Sequence, residues 1–379
     1  MPDVPSLSAE NLQTARRILE HALADRAFPG AVLAVGHRGS VALLSVGRLS
    51  YAADAPATTP ETLYDLASLT KVVATTTAAM ILVERGVLDL DRPVAHYLPD
   101  FVEPFDTGTD PLWMVRSEVT VRHLLTHSSG LPAYEQFFLR AREKSHVIEE
   151  ALALPLEETP DRRTIYSDVG FILLGEILER VSRQTLEAFC AGEIFAPLGM
   201  KQTCFNPPRE WWARIAPTEV DETFRKRLLQ GEVHDENAWV MGGVAGHAGL
   251  FGTAGDLARF ARMMLDGGQT DTAQLVQTAT IAEFTRAHPA LEGGPRGLGW
   301  DKPGETPSCG RYFSASSYGH LGFTGTSLWI DPEKDLFVVL LTNRVHPTRA
   351  NEAIRQVRPA VHDAIAEALG FAQVVITGG

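Results

Sequence analysis

The chain has 379 residues, 45% hydrophobic and 21% charged, which is enough apolar material for a large core in two domains or one elaborated domain. A formal net charge of −13 argues against nucleic acid and anionic membrane surfaces as partners, and no run approaches a membrane span. Cys190, Cys204 and Cys309 are odd in number and lack metal-ligand spacing, so reduced thiols are expected rather than a disulfide framework or a metal site.

The first residues, Met1-Pro2-Asp3-Val4-Pro5, show neither the basic region nor the apolar core of a signal peptide. That points to a cytoplasmic protein, or to a periplasmic or secreted one if a leader has been trimmed. Ser8 is placed to cap a helix with Leu12, Ala15, Leu19, Ala22 and Leu23 on one face. Two β-rich runs, Ala31 to Val35 and Val41 to Val46, flank Gly36-His37-Arg38-Gly39-Ser40 and read as a hairpin. A loop from Tyr51 to Thr59 leads to Leu66-Ala67-Ser68-Leu69-Thr70-Lys71 and then to twelve uncharged residues, Val72 to Val83. This segment is a buried helix too short to cross a bilayer, with Gly86 as its stop.

Thr120 caps a short helix over Val121 to Thr126, and Glu135 to Glu150 looks helical. Tyr166-Ser167-Asp168 precedes an amphipathic helix bearing Leu174, Ile177, Leu178 and Val181, and a further helix runs from Leu186 to Phe195. Thr253-Ala254-Gly255-Asp256 resembles a capping box for a helix bearing Leu257, Phe260, Ala261, Met264 and Leu265. Strand-like runs follow at Gly297 to Trp300, Tyr318 to Phe323, Thr326 to Ile330 and Leu336 to Leu341, the last two joined as a hairpin by residues 331–335. A terminal helix from about Asn351 to Leu369 is interrupted by Pro359, which should kink or restart it.

Strands therefore lie near both ends and helices in the middle. The fold class is α/β of the α+β type: an antiparallel sheet flanked by the N- and C-terminal helices, with an inserted, mostly helical domain. Residues 1–60 and 236–379 form the discontinuous sheet domain. Residues 61–235 form the helical one, which carries Ser68, Lys71 and Tyr166, with the active site at the junction.

Ser68 and Lys71 are three apart at a helix mouth, so the amine can reach the hydroxyl. The bland alternative is an N-cap serine with a snorkelling lysine. Against it, the chain has only six lysines, and Lys71 lies in the most apolar company of them all. Such a serine needs a base and an oxyanion hole. Tyr166 is the first candidate partner, because an ammonium nearby favours an ionised phenol; alone it reads equally as a packed loop tyrosine. Tyr318-Gly319-His320-Leu321-Gly322-Phe323-Thr324-Gly325-Thr326 is the second, with glycines marking either a close backbone approach or a kinked strand. His123 and His127 have zinc-ligand spacing, but Leu124 stands where a zincin needs Glu and no third ligand follows, so both read as structural. His247, in a glycine-rich loop, is an additional candidate wall of the pocket. Trp211-Trp212 reads as packing an insertion, and residues 242–246 lack the setting of a nucleotide loop. No metal and no cofactor is indicated.

Ser68-Leu69-Thr70-Lys71, Tyr166-Ser167-Asp168 and His320-Leu321-Gly322, in that order, resemble the three motifs of serine β-lactamases and penicillin-binding proteins. The context of His123 to Leu131, Gly246 to Phe251 and Trp329-Ile330-Asp331-Pro332 is similar too. The nearest likeness is to class C β-lactamase-like enzymes and the bacterial family VIII carboxylesterases, from about Leu12 to Leu369. The resemblance implies Ser68 as nucleophile, Lys71 and Tyr166 sharing the proton work, and the backbone N–H groups of Ser68 and Phe323 as oxyanion hole. It places Asp168, His320, Leu321 and Gly322 at the substrate. Two departures matter. His320 stands where a lysine would hold a substrate carboxylate, and Asp168 stands where an asparagine amide would donate to an acylamino carbonyl. Asp168 is free to pair with Lys71 instead and keep it charged. Both changes point to a cofactor-free serine acyl hydrolase acting on small-molecule substrates, a carboxylesterase on short-chain esters. A β-lactamase or D-amino-acid peptidase or transesterase, and a non-turnover β-lactam sensor, are the alternatives.

Overall fold

The first two β-rich runs close as a tight hairpin. In the computed structural model, which describes residues 7, 10–102, 112–271, 273–288 and 291–372, strand β1 (Gly30–His37) turns into β2 (Ser40–Gly47) through Arg38 and Gly39. Their φ values of +49° and +76° are those of a type I′ turn, whose twist matches the flanking strands. The other strands of this sheet come from the far end of the chain: β3 (Tyr318–Leu321), β4 (Ser327–Asp331) and β5 (Leu336–Thr342). The order is β2-β1-β5-β4-β3, antiparallel throughout, with Ala31 opposite Thr342 and Val35 opposite Val338.

The side-chain period of two sorts the core. Ala31, Leu33 and Val35 of β1, with Leu336, Val338 and Leu340 of β5, face the helices Gln13–Ala24 and Ile354–Ala368. Val32, Ala34, Phe337, Val339 and Leu341 face the opposite way, into a larger core shared with the helix Ala254–Leu265 and the middle of the chain. Both strands are thus buried on two faces, which is why they read as continuous apolar runs.

The chain approaching Lys71 is helical from Leu69, and Lys71–Thr76 form a π-helical turn that passes into the α-helix Thr77–Glu84. Gly86 follows at φ +68°. Several expectations need correction. The proposed Ser8 cap lies outside the described residues, and the helix itself begins at Gln13. Gly297 to Trp300 forms no strand, because Gly299 turns at φ +82° where a Cβ would sit 2.1 Å from Thr76 Oγ1. Of residues 135–150, only the part from Lys144 is α-helical (Lys144–Ala153), behind a 3₁₀ turn at Phe137–Leu139. There the Phe138 N–H donates to Asn237 Oδ1 at 3.0 Å, a tertiary bond that replaces a helical one. Leu186–Cys190 is α-helical and Ala191–Phe195 a π turn, while the terminal helix runs through Pro359 without restarting. Among the described residues no helix is long and apolar enough to cross a membrane.

Candidate active site

Ser68 is delivered by a strained turn. Ala67 has φ +47°, a conformation uncommon outside glycine, and its N–H donates to Asp65 Oδ1 at 2.8 Å. The other Asp65 oxygen accepts the His234 N–H at 2.6 Å. One turn on, the wholly buried Lys71 donates from Nζ to Ser68 Oγ at 3.1 Å, Asp168 Oδ1 at 2.6 Å and the His247 carbonyl at 3.3 Å. Three acceptors match the three protons of an ammonium. Burial pulls the Lys71 amine down, but Asp168 and Tyr166 outweigh it, and its pKa stands above the ordinary lysine value.

Asp168 opens the helix Asp168–Ser182, whose N-cap Ser167 accepts the Gly170 N–H at 3.0 Å. Tyr166 therefore sits just ahead of a capped helix, beside Ser68 and with Lys71 Nζ 4.8 Å from its ring centroid. Here the electrostatic expectation is corrected. Burial raises the phenol's pKa by more than Lys71 lowers it, so the resting group is a neutral phenol rather than a phenolate.

The turn after β3 is stitched to the segment before Ser68. Thr324 Oγ1 donates to the Asp65 carbonyl at 2.7 Å and Thr326 Oγ1 to the Leu66 carbonyl at 3.0 Å. Gly322 must be glycine, since a Cβ there would lie 2.0 Å from Thr326 Oγ1 and 2.6 Å from the Leu66 carbonyl oxygen. Arg358, from the C-terminal helix, donates through Nη2 to the carbonyls of Gly322 and Thr326 at 2.9 and 2.8 Å. Among the described residues, neither the Ser68 nor the Phe323 N–H donates to a protein acceptor. Thr324, Thr326 and Arg358 carry no sequence signal beyond their nearness to the glycines or their place on a helix face.

Two histidines expected at the substrate are buried. His320 is 2% exposed, with Nδ1 2.8 Å from the Leu321 carbonyl and its ring packed 5.8 Å from that of Tyr166. It packs against the tyrosine with its Nε2 unpartnered among the described residues, whereas Leu321 is partly exposed and the Phe323 side chain is exposed. His247 is likewise buried, and its Nε2 meets Asp235 Oδ1 at 2.9 Å. What it offers the site is its carbonyl, not its imidazole. His123 completes a capping box with Thr120 and contacts Asp161. No group of three or more His, Cys, Asp or Glu among the described residues is arranged to hold a metal.

Three buried histidines make the fold acid-sensitive. Burial lowers His320 and His362 to about 4, and burial with Arg296, Lys71 and His320 nearby holds His127 well below its ordinary value. In the unfolded chain each would titrate near 6.5. Between those values the unfolded state binds protons that the folded state refuses, so the stability is complete above about pH 6.5 and is lost as pH falls toward 4. For His320 and His362 a depression of this size is worth on the order of 3 kcal/mol each. Thermal unfolding should therefore move down steeply between pH 7 and pH 4.5; an unchanged midpoint would show that these rings are charged in the fold.

The family model described as Beta-lactamase matches residues 15–362. The chain belongs to that family. A relative from Salmonella agona (strain SL483), named "Putative D-alanyl-D-alanine carboxypeptidase", is 38% identical over 322 residues, covering 78% of this chain and 72% of the relative. A penicillin-binding protein homologue from Caulobacter crescentus superposes with TM-score 0.75 at 21% identity, covering 97% of this chain and 100% of the other. A class C β-lactamase from Rhodobacter sphaeroides gives 0.72 at 22%, covering 94% and 99%. At such identities the two structures establish the β-lactamase-like fold. This Beta-lactamase family member is accordingly a serine hydrolase of the β-lactamase and penicillin-binding protein superfamily.

Proposed function

We propose that the protein is a carboxylesterase acting on short-chain esters through an acyl-enzyme on Ser68. The observation that carries this reading is the engagement, among the described residues, of cations in the site and its surroundings. Lys71 is paired with Asp168, Arg296 with Asp301, and Arg349 with Glu219 and Glu236, while Arg344 is spent on the carbonyls of Phe323, Arg349 and Asn351. His320, where a lysine would bind a carboxylate, is neutral and enclosed. A substrate carboxylate would approach the partly exposed Asp168, and the arginines named here already have acceptors. A simple ester needs no counter-charge.

Ser68 Oγ attacks the ester carbonyl while its proton passes to Tyr166 Oη, the phenol proton to Lys71 Nζ, and an ammonium proton to Asp168 Oδ1 across 2.6 Å. The negative oxygen of the tetrahedral intermediate takes the Ser68 and Phe323 N–H groups. Reversal of the relay protonates the departing alkoxide, and water then repeats the sequence on the acyl-enzyme.

A second reading, D-alanyl-D-alanine carboxypeptidase, is favoured by the name of the 38%-identical relatives. A panel of p-nitrophenyl acetate and butyrate, a peptide ending in D-Ala-D-Ala, and nitrocefin separates the two. Steady ester turnover with kcat/KM above that for the peptide is expected. Peptide cleavage that outruns ester hydrolysis would establish the second reading, and a stoichiometric burst without turnover would mark a sensor.

A further inference from the structure

We propose that His127 is a positioning residue for Tyr166, fixing the phenol against Ser68 and Lys71. This rests on the reading of Tyr166 as the proton carrier.

After the helix Val121–Leu125 the chain turns at His127, whose φ of +57° is the left-handed conformation that a ring-bearing side chain seldom adopts. From this turn His127 takes hold of both neighbours of Tyr166. Its carbonyl accepts the Ile165 N–H at 2.8 Å, and its Nδ1 accepts the Ser167 N–H at 2.9 Å. Its ring then packs on the phenol ring, with centroids 4.6 Å apart, and on Phe171 at 5.0 Å. Residues 165, 166 and 167 are thus each held by one side chain and its own carbonyl. His320 touches the same phenol ring at 5.8 Å but makes no hydrogen bond to that backbone.

Only a neutral imidazole serves this purpose. An Nδ1 that accepts from Ser167 carries no proton, so the hydrogen sits on Nε2, which has no partner among the described residues. The surroundings oppose a positive charge. The ring is 1% exposed, and the cations Arg296 and Lys71 lie near it. His127 makes no hydrogen bond to Ser68, Lys71 or Asp168, so any effect on chemistry passes through Tyr166.

The test is a double-mutant cycle. His127→Asn keeps an acceptor and tolerates the left-handed backbone but withdraws the ring, while His127→Phe keeps a ring and withdraws the acceptor. In each, kcat for p-nitrophenyl butyrate should fall roughly 10- to 100-fold, the scale of an ångström-sized misplacement, with KM held within about threefold. In a Tyr166→Phe background the same substitutions should cost almost nothing, because the group being positioned is gone. A purely structural role would lower kcat equally in both backgrounds, and that result would overturn the proposal. So would a wild-type kcat in both His127 variants beside a crippled Tyr166→Phe. A normal rate in Tyr166→Phe alone would instead overturn the catalytic reading, and this one with it. If His127→Phe proves too unstable to assay, His127→Asn carries the cycle alone.

Discussion

Ser68→Ala is expected to remove ester turnover, by at least about 10⁴-fold in kcat, and to leave the fold intact. The hydroxyl accepts from Lys71 Nζ at 3.1 Å, and it lies one residue beyond the strained Ala67 turn. Stability should change little, since Lys71 keeps Asp168 at 2.6 Å and the His247 carbonyl at 3.3 Å after the hydroxyl is lost. Mass spectrometry of the intact protein after brief exposure to p-nitrophenyl butyrate should find a butyryl adduct on wild type alone. Retained turnover, or an adduct on another peptide, would mean that the nucleophile lies elsewhere.

What the sequence discloses depends on whether a signal is local. The apolar runs of β1 and β5 announce strands, and Thr120 and Thr253 each cap a helix as their positions suggest. The Asp168–Lys71 pair was legible too, because a buried ammonium needs a counter-charge and an acid replacing an amide offers one. The capping box at Thr253 is only half formed, since the Asp256 carboxylate turns instead to the Gln202 N–H and Thr203 Oγ1. Which way a histidine faces is not local. His320 and His247 have motif-like positions, yet packing directs one behind Tyr166 and the other to Asp235. The stitches from Thr324, Thr326 and Arg358 join segments more than 30 residues apart at the least, and no periodicity encodes them.

Tyr166→Phe is the second large effect, expected at roughly 10²- to 10⁴-fold in kcat with KM little changed. The size of the effect depends on where the Ser68 proton can go. Lys71 touches the hydroxyl directly, but it is a saturated ammonium with a raised pKa and donates in that contact. It can accept only after yielding a proton to Asp168, in either route. The phenol differs in having lone pairs free to accept while its own proton moves on, and it lies beside both partners. Phenylalanine retains the packing on His127 and removes only the relay, so the variant should fold with an unfolding midpoint near that of wild type. If kcat instead stays near normal, the proton passes straight from Ser68 to Lys71, and Tyr166 serves only to fill the space between two imidazoles.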